Sequence, residues 1–151
     1  MDTESLIGSL DPDELLVEAP NLVAWKRGLV GNMDSVARFM YRGGAYSPLM
    51  TAKHHPAGKD SRPEKSLWDC VKKEMGIFLC TDDPRYRDLW KRITAFENKN
   101  TAGLVAVIAA FLGQIVGAPA TVLAGFVAVC LYAAAKLGKE AYCRYINQGE
   151  A

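Results

Sequence analysis

The sequence lacks the short motifs that mark nucleotide-binding and metal-binding sites. Neither G-x-x-x-x-G-K-[ST] nor G-x-G-x-x-G occurs in its 151 residues, so no phosphate-binding loop is predicted. The four cysteines have no C-x-x-C spacing, and the only two histidines, His54 and His55, are adjacent, which suits a metal poorly. No acid–base pair or nucleophile set stands out either. We therefore expect no enzymatic activity, no cofactor and no metal.

The sequence also lacks an excess of charge of either sign. Its 18 Lys and Arg stand against 17 Asp and Glu, a net charge of +1, which predicts no nucleic-acid partner. The N-terminal segment MDTESLIGSLDPDELL has no basic stretch followed by an apolar core, so we expect no cleaved signal peptide. Without one, we expect reduced thiols in a cytosolic setting, with a Cys70–Cys80 disulfide as the alternative.

Sustained strand-type alternation is absent, and helix signals recur instead, which predicts an all-α fold. Asp11 is the expected N-cap of a first helix, with Glu14 as its capping-box partner. Asp83 is the expected cap of a later amphipathic helix. The helices predicted from caps and spacing are one that starts at Pro12 and ends before Pro20, then Met33–Arg42, Ser66–Cys80 and Pro84–Asn98.

A long stretch of the sequence carries no charge, since no Asp, Glu, Lys or Arg occurs from Asn100 to Ala135. One straight helix of that length would measure about 54 Å, well beyond a hydrocarbon core of roughly 30 Å. Gly117-Ala118-Pro119-Ala120 supplies a break near the middle, since glycine can end a helix and proline can open the next. The run therefore predicts a helical hairpin with arms Ala102–Ala118 and Pro119–Leu137, each about 25–29 Å long.

Two interpretations of this hairpin stay open. In the first it crosses a membrane, and its basic flanks and neutral turn place both termini in the cytoplasm. In the second it is the buried centre of a soluble cytoplasmic domain, because helices that are apolar all round occur in both settings. The pattern resembles in architecture the hydrophobic hairpin of colicin-type pore-forming domains, where apolar helices lie inside amphipathic ones until they insert, although no motif is shared.

The membrane interpretation assigns roles to particular residues. The small residues expected at helix contacts are Gly113, Gly117, Ala124 and Ala128. Gln114, the side-chain amide of the first arm, is expected to face a pore or an interface. The residues expected at the membrane interface are Arg85, Arg87, Trp90, Lys91, Arg92, Lys136 and Lys139.

The sequence thus predicts a small non-enzymatic membrane protein whose hairpin anchors in or permeabilises a bilayer, with its N-terminal part in the cytoplasm. The alternative is a soluble all-α interaction module, and a cysteine hydrolase using Cys70 or Cys80 is a distant third. The expected partner is a lipid bilayer, and association with further copies or with an unidentified protein stays open. The predicted regions are short helices at 1–50, a linker at 51–65, amphipathic helices at 66–99, the hairpin at 100–137 and a polar tail at 138–151.

Overall fold

The computed structural model describes residues 2–42, 65–96 and 100–148, and within these ranges every regular element is a helix. The all-α prediction is therefore confirmed for the part of the chain that is described. The helices are α1 (Thr3–Ser9), α2 (Pro12–Glu18), α3 (Leu22–Lys26), α4 (Met33–Arg42), α5 (Lys65–Cys80), α6 (Arg87–Ala95), α7 (Thr101–Val116), α8 (Ala120–Leu137) and α9 (Lys139–Gln148).

The helix starts follow the local capping signals. The Asp11 side chain accepts a hydrogen bond from the Asp13 N–H at the start of α2, and the Asp83 side chain accepts one from the Arg85 N–H. Asp83 opens a single 3₁₀ turn, Pro84–Tyr86, that leads into α6. Local capping therefore sets where these helices begin, as predicted, because it needs no tertiary contact.

The ends and the shortest helices depart from the prediction. Helix α6 ends at Ala95 rather than at Asn98, and α1 and α3 were not predicted. The segment at 138–151 was predicted as a polar tail, but Lys139–Gln148 forms α9, with Tyr142 and Ile146 buried. The spacing of these two side chains, i and i+4, places them on one face, which is the signal that was missed.

Helix α8 occupies the centre of the fold. It contacts α1, α2, α4, α5, α7 and α9, and all its side chains from Phe126 to Ala134 are buried. Aromatic rings cover it, with Trp25 against Tyr132 and Trp68 against Phe126 at centroid distances of 5.4 and 5.2 Å. A helix that is apolar all round needs such a cover in water, which explains its central position.

Helices α7 and α8 are joined by a three-residue connection and pack against each other. Gly117 ends α7 in the left-handed conformation, with φ of 81°, and its N–H donates to the Gly113 carbonyl at 2.9 Å. The Ala118 N–H donates to the same carbonyl at 3.2 Å. The break thus falls at the predicted Gly–Ala–Pro, although the helix bounds differ by one or two residues from the predicted ones.

A disulfide joins Cys80, the last residue of α5, to Cys143 in α9, whereas Cys70 is exposed and Cys130 is buried as free thiols. The expectation of four reduced thiols is therefore wrong, and so is the Cys70–Cys80 alternative. The two paired cysteines are 63 positions apart, and only the packing of α9 against α5 brings them together.

The predicted linker at 51–65 lies outside the described residues except for Lys65, which begins α5 and pairs with Asp69 at 3.1 Å. His54 and His55 lie outside them as well.

Candidate functional site

Helix α7 has one buried face and one face in water, and neither carries charge. Its buried face consists of Leu104, Val105, Ile108, Ala109 and Leu112, all with no exposed surface. Its outer face, which we call the α7 outer face, consists of Ala102, Ala106, Ala110 and Gln114, all of them exposed. Near the end of the helix, on the side of Leu104 and Ile108, Ile115 also leaves 41% of its surface in water. A helix half exposed to water ordinarily carries charged residues there, so α7 is more apolar than its burial requires.

Helix α6 carries exposed basic side chains, one of which contacts α7. Arg87, Lys91 and Arg92 are exposed, and no carboxylate among the described residues forms an ion pair with them. The Arg92 guanidinium lies over the Phe111 ring of α7, 5.7 Å from its centroid. The contact places cationic charge at the edge of an uncharged helix surface.

The other residues expected at a membrane interface have partners within the fold. Arg85 is held by Asp83 at 3.2 Å and approaches Glu74 at 3.8 Å. The Trp90 ring is half-buried and packs on Phe78 at a centroid distance of 4.6 Å. The interfacial roles of Arg85 and Trp90 therefore remain predictions, which would require these contacts to change.

Two further basic residues predicted for the interface follow the apolar helices. Lys136 lies over the Trp25 ring, 5.9 Å from its centroid. Lys139 lines an open groove between α1 and the start of α9, together with Glu4 and Arg144. Neither residue borders the α7 outer face through a contact in this structure.

The predicted small contact residues occupy different environments. Gly113 lies against the turn, where an added Cβ would be 2.6 Å from the Ala118 carbonyl oxygen, so only glycine fits without a shift. Ala128 is fully buried and Ala124 half-buried in α8, whereas Gly117 is exposed at the end of α7. Gly113 and Ala128 thus make contacts within one chain, and contacts between copies remain a prediction.

The first residue of α7 is tied to α2 by exchanged caps. The Thr101 N–H donates to the Glu14 carboxylate at 3.1 Å, and the Asp11 N–H donates to the Thr101 hydroxyl at 2.8 Å. The capping box predicted within α2 is therefore not made, because Glu14 caps α7 instead. The exchange supplies acceptors for backbone N–H groups at two helix starts, which have no partner within their own helices. It also fixes α7 against the N-terminal helices.

Asp34 connects three helices through its carboxylate. It accepts hydrogen bonds from Trp68 Nε1 and Lys72 Nζ of α5, both at 3.0 Å, and from the Tyr145 hydroxyl of α9. Partial burial raises the pKa of Asp34, but hydrogen bonds from Tyr145, Lys72 and Trp68, with the Lys72 charge, outweigh it, and the net effect lowers the pKa. Sequence analysis missed this cluster because its members lie 34, 38 and 111 positions from Asp34.

Within residues 2–42, 65–96 and 100–148, no group of three His, Cys, Asp or Glu side chains is arranged to hold a metal ion. The exposed thiol of Cys70 has no histidine within the same ranges, since both histidines lie outside them.

One described helix, Ala120–Leu137, is long and apolar enough to cross a membrane, with a mean hydropathy of 1.9, and 56% of it is buried in this fold. Core helices of soluble proteins meet the same criterion, so length and composition alone do not decide its role. Helix α7 is apolar but shorter.

No protein-family model, curated protein or solved structure matches this chain.

Proposed function

We propose that this protein is a non-enzymatic membrane-binding protein whose α7–α8 pair enters a lipid bilayer as a helical hairpin. The observation that carries the proposal is the α7 outer face. Burial explains why α8 has no charge before Lys136, but it does not explain why Ala102, Ala106 and Ala110 lack charged neighbours on the same exposed face. An apolar environment outside this fold would explain it.

A bilayer fits the chemistry around that face. Arg92 contacts α7 through Phe111, and Arg87 and Lys91 are exposed on the same helix, so all three would be available to anionic headgroups while α7 enters the acyl region. Helix α8 is about 27 Å long and α7 about 24 Å. Both are somewhat shorter than the hydrocarbon core, a mismatch that local thinning of the bilayer accommodates at modest cost.

The charge distribution suggests an orientation for the inserted pair. The connection at 117–119 has no charge, whereas Arg87, Lys91 and Arg92 precede the pair, Lys136 lies in its last turn and Lys139 follows it. Insertion would move the neutral connection across the bilayer and leave both basic flanks on the cytoplasmic side. Gln114 would then need a polar partner in the acyl region, and the Gln114 of a second copy would supply one.

The proposal predicts opposite results for insertion and for surface adsorption in the Ala110→Lys variant. Ala110 is exposed and lysine is a good helix former, so the fold and its stability should be retained. A lysine at the centre of an inserted helix costs about 2.5–3.5 kcal/mol, so insertion should weaken by about 10²-fold. If the protein merely adsorbs to lipid through the basic residues of α6, the added charge should strengthen binding to anionic vesicles instead.

The measurement is flotation with vesicles of phosphatidylcholine and phosphatidylglycerol, followed by a carbonate wash that removes adsorbed protein. Ala141→Lys is the matched control, because Ala141 is exposed on α9 and the charge change is identical. Loss of wash-resistant binding in Ala110→Lys, with Ala141→Lys like wild type, is the expected result. Equal wash-resistant binding by the two variants would contradict insertion of α7.

A soluble interaction module is the second candidate, and the complete burial of α8 from Phe126 to Leu131 favours it. In that case α8 stays the core of the fold, and the α7 outer face contacts another protein. Wild-type protein that remains soluble and never floats with vesicles would favour this function.

A further inference from the structure

We propose that the Cys80–Cys143 disulfide is a redox latch that holds α9 over α8, and that its reduction by a dithiol releases α9 and uncovers α8. The inference rests on the proposed function only for the step after release, namely entry of the apolar helices into a bilayer. The release itself is a property of the fold and is tested without lipid.

The disulfide closes a covalent loop of the chain that contains the proposed membrane-active segment. Cys80 ends α5 and Cys143 lies in α9, so the chain between them contains α6, α7 and α8. Both cysteines are only half-buried, which leaves the disulfide within reach of a reductant. The bond thus ties together the two ends of the segment that would have to leave the fold.

Helix α9 packs on α1, α5 and α8, but only two of its described side chains are buried there. It is ten residues long, too short to be stable by itself, and it starts after Gly138, whose φ is 87°. Its fully buried side chain is Tyr142, and Ile146 is 7% exposed. Outside these contacts, the Tyr145 hydroxyl donates to Asp34.

One of the buried contacts is imperfect. The Tyr142 hydroxyl lies beside the Cys130 thiol of α8, and among the described residues it has no hydrogen-bond partner of standard geometry. A thiol is a weak hydrogen-bonding partner for a buried hydroxyl, and water would be a better one, which favours departure of the helix. The covalent bond opposes that tendency.

The redox step is a thiol–disulfide exchange. A thiolate of the dithiol reductant attacks one sulfur of the Cys80–Cys143 bond, forms a mixed disulfide and displaces the other cysteine as a thiolate, which takes up a proton. The second thiol of the reductant then attacks the mixed disulfide and releases the remaining cysteine. Two electrons and two protons pass to the protein, and the reductant leaves as its own disulfide.

Cys130 reports release of α9, because it has no exposed surface and Tyr142 covers it. In the Cys70→Ser variant with the disulfide formed, Cys130 is the only free thiol of the four cysteines. Adding Cys80→Ser and Cys143→Ser removes the latch and leaves Cys130 as the reporter. Maleimide should then label Cys130 at least about tenfold faster than in the latched protein, because local detachment of α9 exposes the thiol.

A global loss of stability has to be distinguished from local release. Ile93→Ala in the latched Cys70→Ser background supplies this control, since Ile93 is buried in α6, which packs on α7. The comparison is made where Ile93→Ala and latch removal lower the free energy of unfolding equally. If Ile93→Ala then speeds the labelling of Cys130 as much as latch removal does, the latch proposal fails. If the variant without the latch does not fold, latched protein is reduced after folding, and labelling is read at the Cys130 peptide by mass spectrometry.

Vesicle flotation of the same proteins separates this proposal from the proposed function. Faster labelling together with increased vesicle binding in the unlatched protein supports both. Faster labelling without vesicle binding in either form supports the latch and overturns the membrane function. Unchanged labelling overturns the latch, and faster labelling with equal, measurable vesicle binding by both forms overturns the step from release of α9 to entry into the bilayer.

Discussion

The connection between α7 and α8 supports a sharp prediction, because two glycines of these helices lie in different surroundings. A Cβ added to Gly113 would be 2.6 Å from the Ala118 carbonyl oxygen, which is backbone. A Cβ added to Gly125 would be 2.7 Å from Met40 Cε, the mobile end of a flexible side chain. The substitutions Gly113→Ala and Gly125→Ala are therefore chemically identical but meet neighbours of different stiffness.

The expected changes in the free energy of unfolding follow from the contacts of these two glycines. Both substitutions gain up to about 1 kcal/mol in helix propensity. At Gly113 the oxygen must retreat from 2.6 Å to at least 3.0 Å, which strains the two hydrogen bonds from the Gly117 and Ala118 N–H groups. Overpacking of this kind costs about 1–3 kcal/mol, so after the gain in helix propensity Gly113→Ala should be destabilised by up to about 2 kcal/mol overall. Met40 can rotate away, so Gly125→Ala should be neutral or stabilised by up to about 1 kcal/mol.

Thermal unfolding followed by far-ultraviolet circular dichroism measures the difference. A gap of about 2 kcal/mol corresponds to melting temperatures about 4–8 °C apart for a chain of this size, with Gly113→Ala the lower. Urea unfolding should give the same order with an unchanged m-value. A Gly113→Ala variant as stable as Gly125→Ala would refute the close approach of the α7 end to the Ala118 backbone.

Two further predictions concern polar contacts between helices. Asp34→Asn should lower the unfolding free energy by about 1–2 kcal/mol at pH 7, because it removes the charge that Lys72 pairs with in a partly screened setting. The folded state lowers the pKa of Asp34, so its contribution is fully present above the ordinary value of 3.8 and is lost as pH falls through the lower folded pKa. Urea titrations of both proteins from neutral to strongly acid pH should therefore converge at the acid end, and a constant difference would contradict the role of this carboxylate. Thr101→Val should cost about 1–3 kcal/mol because it leaves the Asp11 N–H without its acceptor, whereas Thr101→Ser should cost clearly less, and equal losses would show that the hydroxyl is not the acceptor that matters.

The α7 outer face illustrates how composition and position combine. Composition predicted the charge-free run and its break, because both are properties of consecutive residues. It did not say which side chains of α7 face water, since a helix without charge has no polar face to mark its exposed side. Only the packing of α7 on its neighbours distinguishes Ala106 in water from Ala109 in the core.

The sequence by itself determined the helical class, the starts of α2 and the 3₁₀ turn before α6, and the position of the break between α7 and α8. Each depends on residues within one helical turn of each other, such as Asp11 with Asp13 or Gly113 with Gly117. Tertiary structure alone decided that Glu14 caps α7, that Asp34 connects three helices and that Cys80 pairs with Cys143. These partners are tens of positions apart, and they meet only because α8 must be covered on all sides by the remaining helices, which no local pattern specifies.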